Sequence, residues 1–236
     1  MTIKRKEIIL LIFLILLILT INYSYIDEKL EDFLLDYEIV IVERVIDGDT
    51  FVSGNNSIRL LGINSPERGE NYHDEAKKFL EEMILNENVT LEYVGERQDK
   101  YGRIFAYVYF NEKNVNVNLV EQGFANYYFY FGKDIYSDDL TDAWNLCIEN
   151  NMNLCEKSKD LCGGCIKIKE NKIINSCSIS CNIDGWMIKG EGRDKFVFNN
   201  TLNKEEGKEF ELDLANSGGS LFLYDEEGKL VVWESY

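Results

Sequence analysis

The chain of 236 residues has one histidine, one proline and no cysteine before position 147. Each scarcity excludes something. A lone imidazole, His73, rules out mechanisms that need several histidines, and its place beside Asp74 and Glu75 in the first turn of a helix reads as a surface position, not a ligand. Without cysteine, the first 146 residues have neither disulfides nor thiol chemistry. The sole proline, Pro66, fixes the backbone beside Glu67, which suits a carboxylate that must be aimed. Positive charge is also short: 25 Lys and Arg face 42 Asp and Glu, a net charge of −17. Such a field repels polyanions, so any grip on one must be local.

Lys4, Arg5 and Lys6 precede residues 8 to 26, which carry no charge. As a helix that segment spans about 28 Å, nearly a bilayer core, with the basic flank placing the N-terminus in the cytoplasm. Residues 1–26 are therefore expected to form a cytoplasmic tip and transmembrane signal anchor, with the rest outside the cell. A cleaved signal peptide, giving a secreted protein, is the rival, but residues 20 to 25 lack small side chains at the cleavage-determining positions. Residues 27–38 are acidic, with Leu30, Phe33, Leu34 and Tyr37 at helical spacing, and read as a stalk.

From 39 to 157 the pattern is five strands (39–46, 49–54, 57–62, 89–95, 103–110) with three helices. The first helix, about 71 to 86, is amphipathic through Ala76, Phe79, Leu80, Met83 and Ile84. A second runs from about 115 to Gly123, and a third carries Leu140, Ala143, Trp144, Cys147 and Ile148 on one face. Asp47 and Asp49 flank Gly48 where one strand ends and the next begins. Clustered carboxylates there suit a hard cation held by oxygen. The following strand is expected to expose Arg59; Asn64 and Glu67 come after it, and Arg103 follows a Lys-Tyr-Gly turn. Two acids, a separate glutamate and two forked guanidiniums are the parts needed for phosphodiester hydrolysis.

Val45-Ile-Asp-Gly-Asp-Thr50, Ile58-Arg-Leu-Leu-Gly-Ile-Asn-Ser-Pro-Glu67 and Asp99-Lys-Tyr-Gly-Arg103, in that order, resemble the staphylococcal nuclease (thermonuclease) family over about residues 39 to 157. The resemblance implies an α+β catalytic domain built on a five-stranded OB-fold barrel. It further implies calcium held by Asp49, Asn64 and the carbonyl of Thr50, with Asp47 behind them. Glu67 would act on the attacking water, and Arg59 and Arg103 on the scissile phosphate. Lys100 and Tyr101 would meet a neighbouring phosphate, and Tyr128 and Tyr130, in the aromatic run 124 to 131, the nucleotide. The substrate would be DNA or RNA, cut to 3′-phosphate ends. Asn64 departs from the family, which usually has aspartate there, so weak calcium binding is expected. The competing reading, a binding scaffold on a dead nuclease barrel, sits poorly with the presence of Arg59, Glu67 and Arg103.

Cys147, Cys155, Cys162, Cys165, Cys177 and Cys181 form an even set in a chain expected to face outward, which favours disulfides. A four-thiolate zinc site on Cys162, Cys165, Cys177 and Cys181 is the alternative. Residues 158–170 read as a cysteine-containing linker. Short β segments separated by turns then fill 171–236, predicting a small immunoglobulin-like sandwich. The phrases Cys181-Asn-Ile-Asp-Gly-Trp-Met-Ile188 and Gly219-Ser-Leu-Phe-Leu-Tyr224 with the residues up to Leu230 resemble the lamin-tail domain. No catalytic cluster appears there, and it is expected to bind a partner or surface, or to shield the nuclease.

Overall fold

The computed structural model describes residues 12–14, 37–95, 98–99, 101–214 and 218–236. The chain divides into two compact units, Met1–Glu38 and Ile39–Tyr236. The expected anchor and stalk fall outside the described residues, apart from 12–14, 37 and 38. Among the described residues no helix is long and apolar enough to cross a membrane.

The strands of the first half are β1 (Tyr37–Ile41), β2 (Arg44–Asp47), β3 (Thr50–Ser53), β4 (Asn56–Leu60), β5 (Ile63–Asn64), β6 (Asn88–Glu92), β7 (Ile104–Phe110), β8 (Lys113–Asn114) and β9 (Asn126–Tyr127). Their main sheet runs β1-β6-β7-β4-β3-β2, with β8 on β7 and a separate pair β5-β9. β7 is central because Phe105, Ala106, Tyr107 and Val108 are all buried, a continuous apolar run covered on both faces. It pairs in parallel with β4, setting Arg59 opposite Phe105. The expected first strand, 39–46, is two strands. At Val42 the backbone N–H turns to Glu87 O (3.0 Å), while the Glu43 N–H turns to Val52 O (2.9 Å), so the chain changes neighbour.

Three helices cover the sheet: α1 (His73–Ile84), α2 (Val115–Glu121) and α3 (Ser137–Asn150). Ala76, Leu80 and Ile84, one turn apart, form the buried stripe of α1. The Asn114 side chain caps α2 by accepting from the Val117 N–H at 3.1 Å. Beyond α2, Gly123 takes φ 69°, and an added Cβ would lie 2.5 Å from the Met152 carbonyl. Only glycine fits both demands. His73 is a correction to the surface reading. Its side chain is mostly buried, and its Nδ1 is bonded to the Pro66 carbonyl at 2.9 Å, tying α1 to the segment before Glu67.

The second half contains β10 (Ile166–Lys169), β11 (Lys172–Asn175), β12 (Cys181–Asn182), β13 (Met187–Lys189), β14 (Lys195–Val197), β15 (Thr201–Leu202), β16 (Gly207–Glu209), β17 (Ser220–Tyr224) and β18 (Leu230–Ser235). They form sheets β14-β13-β17-β18 and β10-β11-β16 and a pair β12-β15. Residues from both sheets share one core, including Ile166, Ile173, Ile188, Leu221 and Leu223, with Trp186, Phe198 and Phe210 between them. Disulfides join Cys147–Cys155, Cys162–Cys181 and Cys165–Cys177. All four thiols of the zinc alternative are thereby used.

Contacts cross the expected bounds between the nuclease domain (39–157), the linker (158–170) and the sandwich (171–236). β10 begins inside the supposed linker, and the Leu230 N–H donates to Glu156 O (2.7 Å) as the Ser158 N–H donates to Leu230 O (2.9 Å). Phe222 of β17 belongs to the barrel's core, its ring 5.0 Å from Trp144 and 5.9 Å from Tyr127. The Tyr127 hydroxyl bonds Ser220 Oγ at 2.7 Å. Large rings meeting this way bury area that neither half covers alone.

Candidate active site

The β2–β3 turn and the end of β4 bring the first acids and the first arginine together. β3 and β4 pair with Thr50 opposite Arg59, which sets the guanidinium beside the turn that carries Asp49. Arg59 was expected to be exposed on its strand, yet it is only 5 % accessible. Its Nη2 lies 3.0 Å from Asp49 Oδ2 and donates to Asn64 Oδ1 at 3.2 Å, while Nη1 donates to Leu60 O at 2.8 Å. Asp49 also accepts from the Ser65 N–H (2.7 Å) and the Thr50 hydroxyl (2.9 Å). Gly48 makes this packing possible, since a Cβ there would lie 2.7 Å from Ala76 Cβ.

Charge balance separates the two acids. Burial alone would raise Asp49, but Arg59 and the Ser65 N–H outweigh it and hold the carboxyl below its ordinary range. Asp47 is pushed up to about 6, first by burial and then by the neighbouring Asp49 charge. The Arg59 charge lowers Asp47 as well, but not enough to offset its burial. The donor set suits calcium: the Asp49 carboxylate, the Asn64 amide oxygen and the Thr50 carbonyl, with Asp47 behind them, offer oxygen atoms to a hard cation. Thr50, expected to lend its carbonyl, shows its hydroxyl engaged with Asp49.

Glu67 is half-exposed after Pro66, and its backbone N–H donates to Glu70 Oε2 at 3.0 Å. Arg103 precedes β7 by one residue, which puts it on the Arg59 side of the sheet, two positions along the neighbouring strand. The two guanidiniums have separate partners. Arg103 is held by Asp99, Nε to Oδ2 at 2.7 Å. Tyr101 is exposed beside it, with the Arg103 guanidinium 5.9 Å from its ring. Lys100 lies outside the described residues. Tyr128 and Tyr130 meet edge to face at 5.7 Å, and Tyr130 is 64 % exposed. The two rings line a cleft of about 750 Å³ together with Lys133 and the loop 190–194.

That loop, between β13 and β14, is the part the sequence reading missed. The Gly192 carbonyl accepts from Asn64 Nδ2 (3.3 Å), and the Arg193 Nε lies 2.6 Å from Glu67 Oε1. Glu191 accepts through its carbonyl from Asn126 Nδ2 (2.9 Å) and through its carboxylate from the Phe129 N–H (3.1 Å). Lys189 and Lys195 flank the loop, and both pair with Glu70, at 3.4 and 2.6 Å. Its one visible sign in the sequence is a glycine-bracketed charged turn, Gly190-Glu-Gly-Arg-Asp-Lys195, and such turns are common on surfaces.

Comparison with known proteins agrees with this geometry. Residues 57–157 match the family described as Staphylococcal nuclease homologue. The Thermonuclease of Staphylococcus intermedius is 33% identical over 130 residues, covering 51% of this chain and 77% of that protein. The Thermonuclease of Staphylococcus hyicus is 32% identical over 112 residues, 43% of this chain and 66% of its own. An uncharacterized endonuclease of Haemophilus influenzae is 36% identical over 98 residues, 39% of this chain and 54% of its own. These matches and the clustered Asp49, Arg59 and Asn64 agree: the chain belongs to the staphylococcal nuclease homologue family and is a phosphodiester-hydrolysing enzyme.

Proposed function

We propose that the protein is a calcium-dependent nuclease that cuts DNA or RNA outside the cell to 3′-phosphate products. The buried Asp49–Arg59–Asn64 cluster carries this reading, because an ion pair sealed from water beside a second, partly buried acid is costly unless the site has work for it. Asp49, Asn64 and the Thr50 carbonyl would hold calcium, with Asp47 behind them, and the ion would supply positive charge for the phosphoryl oxygens. Glu67 accepts a proton from the attacking water as the water oxygen bonds to phosphorus and the bond to the 5′ oxygen breaks. Arg59 commits about three of its five N–H donors to the protein, and the others, with Arg103, stabilise the charge that develops on the phosphate.

Residues 8 to 26 would anchor the enzyme in a membrane, and three disulfides suit an oxidising exterior. The lamin-tail likeness of the C-terminal β region remains part of this proposal, with a role at the active site rather than as a free module. The test is cleavage of DNA and RNA across a calcium titration, with Glu67→Gln alongside. Cleavage that persists in excess chelator removes calcium from the mechanism, and full activity of Glu67→Gln removes Glu67 as the base.

A further inference from the structure

Arg193 is the cation nearest the water-activating carboxylate, and it comes from outside the family-matched segment 57–157. Its placement is not loose. Gly192 is bonded to Asn64, Glu191 is bonded twice to the stretch 126–129, and Lys189 and Lys195 clamp Glu70. A Cβ added at Gly192 would lie 3.1 Å from the Tyr128 hydroxyl, so the loop backbone packs closely on that ring. These contacts fix the backbone on both sides of residue 193, while the Arg193 side chain stays 59 % exposed with Glu67 as its one acidic partner among the described residues. Arg59 by contrast is sealed and Arg103 is held by Asp99. A guanidinium held at the lip of a phosphodiester site, over a single carboxylate it can exchange for another anion, is built to meet a phosphate.

We propose that Arg193 is a substrate-binding residue, supplied by the C-terminal β region, that takes a phosphate of the nucleic-acid strand beside the scissile bond. In the free enzyme it pairs with Glu67. When the strand enters, the guanidinium transfers to phosphate, and Glu67 is released to face water. The cleft of about 750 Å³ beyond it, with Tyr128, Tyr130 and Lys133, continues the path for the strand. The net charge of −17 makes such a local contact important, since the chain as a whole repels its substrate.

The inference rests on the nuclease reading, but binding can be measured without cleavage. A fluorescein-labelled single-stranded DNA oligonucleotide is titrated against the full chain in chelator, at several salt concentrations, for wild type, Arg193→Ala and Arg193→Lys. Loss of one phosphate contact lowers the slope of log K against log salt by about 0.7, and weakens low-salt binding by about tenfold. Arg193→Lys keeps the slope, because the charge remains, while losing part of the affinity with the fork. An unchanged slope in Arg193→Ala overturns the proposal, whether its cleavage rate falls, as for a structural residue, or rises, as for an inhibitory plug. A reduced slope with no cleavage by wild type in calcium sinks the nuclease mechanism and leaves the Arg193 contact standing.

Discussion

The two halves of the compact unit are held together by different means. The sheet β1 to β8 has no cysteine and one long central strand, β7, whose buried run packs against helices. The C-terminal half has strands of two to six residues, two internal disulfides and docking contacts onto its neighbour. A long apolar strand stabilises by area removed from water. Short strands bury too little each, and cross-links compensate by restricting the unfolded chain. The half with the family's chemistry is thus built on one long buried strand, with a core that Phe222 of β17 completes, and the half held by cross-links presents a loop to that chemistry.

The largest expected effect breaks this contrast directly. Reducing Cys162–Cys181 and Cys165–Cys177, which close loops of 19 and 12 residues, should cost about 3 kcal/mol each. Hydrogen exchange in reductant should then show amides of β13 and β17 losing protection while those of β7 keep theirs. Simultaneous loss in both halves would mean that the contrast is not real. Next comes Phe222→Ala, which removes the ring that β17 places in the first half's core and should destabilise the unit by about 3 to 5 kcal/mol in denaturant melts. A cost near zero would make the halves independent.

Arg59→Lys tests the chemistry of the first half alone. The ammonium cannot span Asp49, Asn64 and the Leu60 carbonyl together, so kcat/KM should fall by about 2 to 4 kcal/mol in transition-state terms with little change in melting temperature. A smaller effect is expected from Asn64→Asp. The added charge should lower the calcium midpoint, by about 1.4 kcal/mol if acting alone. The new carboxylate, however, would face the Gly192 carbonyl where Asn64 Nδ2 now donates at 3.3 Å. The midpoint should therefore fall by less than tenfold, and a Gly192 contact that mattered little would let the full shift appear. The departure from aspartate thereby has a physical reason: an amide can serve the metal with its oxygen and the C-terminal loop with its nitrogen.

The smallest effect sharpens the docking through pH. Burial alone would raise the Glu70 carboxyl, but Lys189 first, then Lys195 and the Glu67 N–H, hold it below its ordinary 4.5. A depressed carboxyl contributes its stability in full above the unfolded value, and that contribution is lost as pH falls below about 4.5. Melting temperatures of wild type and Glu70→Gln should converge with acidification. Parallel curves would show that Glu70 does not titrate with docking.

The order Asp47, Asp49, Arg59, Glu67 was legible because its residues lie within three successive strands, β2 to β4, and the segment after them, where spacing dictates geometry. The α1 stripe and the buried Trp144 followed from helical period. Arg193 and Gly192 were not legible, since the pairing of Asn64 with Gly192 spans 128 positions and leaves no local pattern. Arg59 was misjudged as exposed because strand alternation does not say which face an adjoining loop will cover. His73 was misjudged because its partner is a backbone carbonyl, which has no sequence signature.

The meeting of Tyr127, Trp144 and Phe222 also sets an order in time. A chain made from its N-terminus exposes Tyr127 and Trp144 well before Phe222 exists, so the catalytic carboxylates are synthesised long before their surroundings are complete. We expect a growing chain to be harmless to nucleic acid until β17 and β18 have emerged. Nuclease assays on chains of stepped length should place the onset of activity beyond Leu230, and activity in chains that stop at residue 157 would rule this delay out.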